Sequence, residues 1–96
     1  MDLKIEIIEI KGNCPVYKIG DTFLLKDGYK LVSDIPLCMH SLSSLMPFYN
    51  VLRFNSPKNI GLAGVKEKNS AFIQCPDACS FTRGGSVVFK IENSDL

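Results

Sequence analysis

Thr22-Phe23-Leu24-Leu25-Lys26 and Tyr29-Lys30-Leu31-Val32 flank Asp27-Gly28, and this arrangement decides the fold class. The tight turn that suits two twisted strands needs positive φ at both central positions, which Asp and Gly tolerate best. The two arms are therefore expected to pair antiparallel. Gly20-Asp21 marks the turn that feeds the first arm.

Upstream, Leu3 to Ile10 read as another strand. Leu3, Ile5 and Ile7 alternate with Lys4 and Glu6, the two-residue period of a half-buried strand. The period then slips, because Ile8 and Ile10 carry the apolar positions while Glu9 points away. A bulge or strong twist near Ile7-Ile8 reconciles the two halves. Lys11-Gly12-Asn13 closes this strand and Cys14-Pro15 begins a turn.

Downstream, a helix is expected. Ser33 or Asp34 can cap it and Pro36 suits its first turn, where a missing N–H costs nothing. Cys38, Leu42, Leu45, Met46, Tyr49 and Leu52 recur at three- and four-residue steps, so they share one face. Pro47 should kink this helix or begin a second one, since proline removes a hydrogen bond and crowds the preceding turn. From Pro36 to Pro57 the only formal charge is on Arg53. So apolar a segment calls for cover by the sheet and by a protein partner, a second subunit being one candidate.

Asn55 to Asn69 reads as a long connection, of the kind that often carries function. Strands resume at Ala71-Phe72-Ile73-Gln74 and Ser86-Val87-Val88-Phe89-Lys90-Ile91. The order gives an α+β fold: a small, largely antiparallel sheet of about five strands, with one kinked or broken helix packed on one face. The 96 residues make a single α+β domain, 1–96, because a second core would need roughly 100 more.

Composition excludes several classes. Eleven basic and ten acidic residues leave a formal charge of +1, too little to gather nucleic acid or an anionic membrane. Aromatic residues do not interleave with a basic stripe, so nucleic-acid recognition is not expected. No stretch approaches the roughly 20 apolar residues of a membrane span. Charges at Asp2, Lys4 and Glu6 break any apolar run of a secretory signal. A soluble cytoplasmic protein is the expectation. No phosphate loop, dinucleotide fingerprint or His-Glu-x-x-His motif occurs, and the reading leans against an enzyme.

Four cysteines and one histidine are where chemistry could sit. In a reducing cytosol Cys14, Cys38, Cys75 and Cys79 are thiols or metal ligands before they are disulfides. Four thiolates could hold zinc or an iron–sulfur cluster. The spacing departs from a zinc ribbon, which shows two close Cys-x-x-Cys pairs. Buried packing is an equally direct reading, since free cysteine behaves as a small hydrophobe. Thiol redox chemistry at Cys38, near a helix start, is a third. His40 lies two residues from Cys38, a spacing at which helical side chains do not face each other, and a lone histidine is more often structural. Asp77 suits a turn. Thr82-Arg83-Gly84-Gly85 could present backbone N–H groups to an anion, although an exposed connection is the simpler reading.

With these segments in view, the chain resembles a family of small uncharacterised prokaryotic proteins of similar length. Lys11-Gly12-Asn13-Cys14-Pro15 followed by Lys18-Ile19-Gly20-Asp21 is similar to its Cys-Pro…Lys-x-Gly-Asp element. Pro36-Leu37-Cys38-Met39-His40 resembles its cysteine-bearing helix start. Cys75-Pro76-Asp77 with Gly84-Gly85-Ser86-Val87-Val88-Phe89-Lys90-Ile91 resembles its Cys-Pro-Asp…Gly-Gly-x-Val-Val-Phe-x-Ile ending. The resemblance implies Cys14, Cys38 and Cys75 as the matching trio, with Cys79 an extra. It brings no activity, substrate or cofactor. Tyr17 stands where members often carry His, and Ala78 where they often carry Pro, which weakens any site needing an imidazole at Tyr17.

Overall fold

The computed structural model describes residues 2–94. Five strands form one sheet: β1 (Leu3–Gly12), β2 (Thr22–Lys26), β3 (Lys30–Val32), β4 (Ser70–Gln74) and β5 (Gly85–Asn93). Their order is β3-β2-β1-β5-β4, and every neighbouring pair is antiparallel. The small α+β fold expected from the order of segments is therefore present.

Alternation sets the faces. Leu3, Ile5 and Ile7 of β1 are buried with Phe23 and Leu25 of β2 and Val87, Phe89 and Ile91 of β5. The register of β1 against β5 shifts between Ile7 and Glu9. Ile8 is the extra residue, and after it Ile10 lies opposite Val87 on the inner face. A one-residue insertion in a two-residue period is what returns Ile10 to the core side.

The Asp27-Gly28 turn has the expected backbone, with φ of 56° and 87°, and Tyr29 N–H donates to Lys26 C=O at 3.3 Å. Tyr29 itself stays outside the ladder, which starts at Lys26 opposite Lys30. A Cβ at Gly28 would lie 2.2 Å from the Arg53 guanidinium carbon, the movable end of a long side chain, so it is the positive φ that favours glycine there.

The helical layer consists of short pieces: α1 (Met39–Leu45), α2 (Tyr49–Leu52), a single turn α3 (Cys79–Thr82) and a 3₁₀ turn at Pro57–Ile60. The break between α1 and α2 contains Pro47, as its missing N–H requires. The helix begins later than the sequence suggests. Cys38 is its N-cap and makes no side-chain cap bond. Ser33 instead folds back on Ile35, accepting from its N–H at 3.1 Å and donating to its C=O at 2.8 Å. Leu45 and Leu52 are buried as expected, but Met46 is 65% exposed. Met46 caps α1 with helical φ and ψ and an N–H bonded to Leu42 C=O, and it borders a small cavity beside Leu42 and Leu45 without being covered. Asn93 Nδ2 donates to Leu52 C=O at 3.1 Å and Arg53 C=O at 3.0 Å, pinning the end of α2 to β5.

The connection before β4 is partly ordered on the sheet. Phe72 N–H donates to Leu62 C=O at 2.9 Å, Gly64 N–H donates to Ser70 C=O at 3.1 Å, and Ala63 bridges Ala71. The segment thus covers the outer edge of β4. On the outer face Lys90 bridges Glu67 and Glu92, each at 2.9 Å. Hydrogen bonds that its ammonium donates to Glu92 and Glu67 hold its pKa above the usual lysine value. Among the described residues, no helix is long and apolar enough to cross a membrane.

Candidate functional site

Beyond the bulge the chain leaves β1 and turns through Cys14-Pro15-Val16-Tyr17. The turn is tied by Tyr17 N–H donating to Cys14 Sγ at 3.3 Å. Asn13 N–H donates to Gly84 C=O at 3.1 Å, and the turn lies against the start of β5. A Cβ on Gly85 would come within 2.5 Å of Cys14 N and 2.6 Å of Asn13 C. These are backbone atoms with little freedom to give way, so glycine at 85 is what allows this approach.

Tyr17 is the anchor of the region. Its ring is buried, lying near-parallel to Phe23 (centroids 6.4 Å apart) and edge-on to Phe89 (5.9 Å). Its hydroxyl accepts from Cys38 N–H at 3.0 Å and lies 2.8 Å from Ser41 Oγ. Ser41 Oγ spends its own hydrogen on Cys38 C=O at 2.8 Å, so the tyrosine donates to the serine. The result is a closed ring of three hydrogen bonds that fixes the first turn of α1 over the sheet. Ser41 is fully buried, and this ring satisfies it.

Cys75 follows β4 directly. It is buried, and its sulfur accepts from Val87 N–H at 3.2 Å and lies 3.7 Å from Gly85 C=O, to which the thiol donates. Nearby, Thr82 Oγ1 donates to Asp77 Oδ1 and accepts from Gly84 N–H at 3.1 Å. Thr82, Gly84 and Asp77 thus form a local knot. The Thr82-Arg83-Gly84-Gly85 segment uses its polar backbone internally: Gly84 N–H goes to Thr82 and Gly84 C=O to Asn13.

These pieces surround a cavity of about 430 Å³, open on one side. Cys14, Cys38 and Cys75 all line it, together with Tyr17, Ser41, Val87, His40 and Asp77. The three cysteines implied by the resemblance thus line one cavity from three separate segments. Cys79 is half-buried and is absent from the lining; its Cβ lies close to Gly12 at the end of β1. His40 is exposed at the rim. Among the described residues, no three His, Cys, Asp or Glu side chains form a group that could hold a metal ion, and all four cysteines are free thiols.

Sequence reasoning passed over Ser41 and read Tyr17 only as a departure from the family pattern. Ser41 was open to discovery, because it lies three residues after Cys38 and four before Leu45, on the face assigned to the core. No family model, curated protein or solved structure matches this chain.

Proposed function

We propose that this protein is a binding domain that takes a small, largely apolar ligand into the cavity walled by Cys14, Cys38 and Cys75. The observation that carries this reading is the convergence of three cysteines, distant in sequence, on one open cavity of about 430 Å³. Sites for small ligands fall in the range of about 300–1,000 Å³ and combine apolar walls with a few polar groups. Here Val16, Val87, Ala78 and the thiols supply apolar wall, while Asp77, His40, Ser41, Thr82 and Tyr17 are the polar side chains of the lining. The Tyr17–Ser41–Cys38 ring supports the same reading, because a wall that is already hydrogen-bonded needs no reorganisation on binding. The resemblance to the small prokaryotic family is kept as a proposal of kinship, since its three elements are those around the cavity.

Fragment titration followed by amide chemical shifts tests the reading. Small aromatic and aliphatic fragments should move the amides of Cys14, Val16, Tyr17, Cys38, Ser41 and Cys75. Saturating fragments that leave these amides still, or move only the opposite end of the sheet, overturn it.

A second reading rests on a different observation. The sulfurs of Cys14 and Cys75 each accept a backbone N–H, at 3.3 and 3.2 Å, so both are held in place at the cavity as electron-pair donors. In this reading the cavity closes on a zinc ion or an iron–sulfur cluster, with Cys14, Cys38 and Cys75 as ligands and Cys79 outside. Cobalt(II) titration separates the two. A thiolate-to-cobalt absorption band, lost in Cys75→Ser, favours the ion; a colourless mixture favours the apolar ligand. We propose a cytoplasmic setting for either, where a reducing poise keeps the thiols available.

A further inference from the structure

The cavity thiols differ in what their sulfurs do. The Cys14 sulfur accepts from Tyr17 N–H. The Cys75 sulfur accepts from Val87 N–H, its thiol donates to Gly85 C=O, and the residue is buried. Both sulfurs are thus built into the wall. Cys38 is the reverse case. Its backbone is committed, N–H to the Tyr17 hydroxyl and C=O to Ser41 Oγ, while its sulfur has no hydrogen-bond partner among the described residues. The Cys79 sulfur is equally unpartnered, but Cys79 is outside the lining. Among the described residues, Cys38 alone combines half-burial, a place in the cavity wall and sulfur lone pairs that no other group uses.

We infer that Cys38 is a covalent capture site for a small, uncharged α,β-unsaturated carbonyl compound. The inference rests on the apolar-ligand reading of the cavity and names the class of that ligand. An uncharged body follows from the lining, where apolar wall surrounds one carboxylate, Asp77; such a site disfavours an anion. A conjugated carbonyl follows from the nucleophile. Sulfur attacks as the thiolate, and one sulfur with unengaged lone pairs makes one bond to carbon.

The step balances without a further reagent. Cys38 Sγ gives up its proton to water at the open side and bonds to the β-carbon. The double-bond pair moves onto the carbonyl oxygen as an enolate. A proton then returns from water to the α-carbon. Thiol and alkene have become a thioether, no group leaves, and no oxidant is consumed.

Three probes test this on the wild-type protein. N-phenylmaleimide carries the conjugated carbonyl on an apolar ring, unsubstituted maleimide lacks the ring, and N-phenylsuccinimide is the saturated, unreactive counterpart. Adducts are located by brief labelling, quenching and peptide mass spectrometry. N-phenylmaleimide should label Cys38 first, at a rate that saturates as the reagent rises, while Cys79 responds linearly. From maleimide to N-phenylmaleimide the Cys38-to-Cys79 rate ratio should rise about tenfold, a modest return on burying one ring. N-phenylsuccinimide should move the cavity amides and slow the Cys38 adduct in step with its occupancy. Cys38→Ser, shown folded by circular dichroism, should lose the fast adduct. The inference and the reading beneath it fail separately. If N-phenylsuccinimide moves the cavity amides while Cys38 is labelled no faster than Cys79, or Cys14 takes the first adduct, the capture site is overturned and the binding reading stands. If the succinimide leaves those amides still and Cys38 labelling stays linear, both are overturned.

Discussion

Replacing Tyr17 by Phe tests how the cavity wall is held. The substitution keeps the ring, and with it the contacts to Phe23 and Phe89, and removes one oxygen. That oxygen accepts from Cys38 N–H and donates to Ser41 Oγ. Ser41 keeps its bond to Cys38 C=O, so the net loss is two hydrogen bonds and one half-buried N–H left without its acceptor. At roughly 1 kcal/mol per bond, with a further penalty for the orphaned donor, the expected cost is about 1–3 kcal/mol. In a domain of this size that lowers Tm by roughly 5–20 °C. Urea unfolding followed by far-ultraviolet dichroism measures the cost. A double-mutant cycle with Ser41→Ala isolates the shared bond, and the two changes should be sub-additive by about 1 kcal/mol. Alkylation of Cys38 should also quicken, because its backbone loses an anchor. A cost below about 0.5 kcal/mol together with an additive cycle would refute the hydrogen-bond ring as the device that seats α1.

Gly85→Ala should destabilise by about 1–3 kcal/mol through overpacking, because the new Cβ meets the Asn13–Cys14 backbone; a neutral or stabilising result in urea unfolding would detach the Cys14 turn from β5. Thiol counting should separate Cys75, which is buried, from the half-buried Cys14, Cys38 and Cys79: three groups should react with a chromogenic disulfide in the native state, and the fourth only at the rate of opening. Lys90 carries a raised pKa in the folded chain, so its ion pairs contribute in full below the ordinary lysine value of about 10.4. Their contribution fades only as pH climbs through the higher folded value, and the difference in Tm between wild type and Lys90→Gln should hold from neutrality to about pH 10 and then shrink.

The sheet was legible in the sequence because strand signals are local. Asp27-Gly28 announced its turn through φ, and the slip at Ile7-Ile8 announced its bulge through period. The meeting of Cys14, Cys38 and Cys75 was legible as well, since each follows or precedes an element and such ends gather at the rim of a small sheet. Tyr17 was not legible. A phenol shows nothing in sequence about which distant N–H it will accept, and here the partners lie 21 and 24 residues away. The pairing of residues 62–64 with β4 was hidden for another reason: Leu62-Ala63-Gly64 is too short to show a period, and only the open edge beside it makes it a strand-like segment. Met46 misled because it sits at the border of the apolar stripe, where helical spacing alone does not decide burial.

The extra residue at Ile8 has a consequence for how β1 can change length. Strand faces follow parity, and Ile8 resets parity partway along. Upstream of it, β1 is held on both sides, by β2 and β5; from Glu9 onward only β5 reads its register. Losing Ile8 or Glu9 would remove the bulge and keep Ile10 inward, whereas losing one residue between Ile10 and Cys14 would bring the Cys14 turn to β5 with its sides exchanged. Losing two would keep the faces and shorten the reach. The position of a cavity wall several residues downstream is therefore written as an odd or even count, and single-residue insertions or deletions between Ile10 and Cys14 should disrupt the cavity while loss of Ile8 alone leaves the faces of β1 intact.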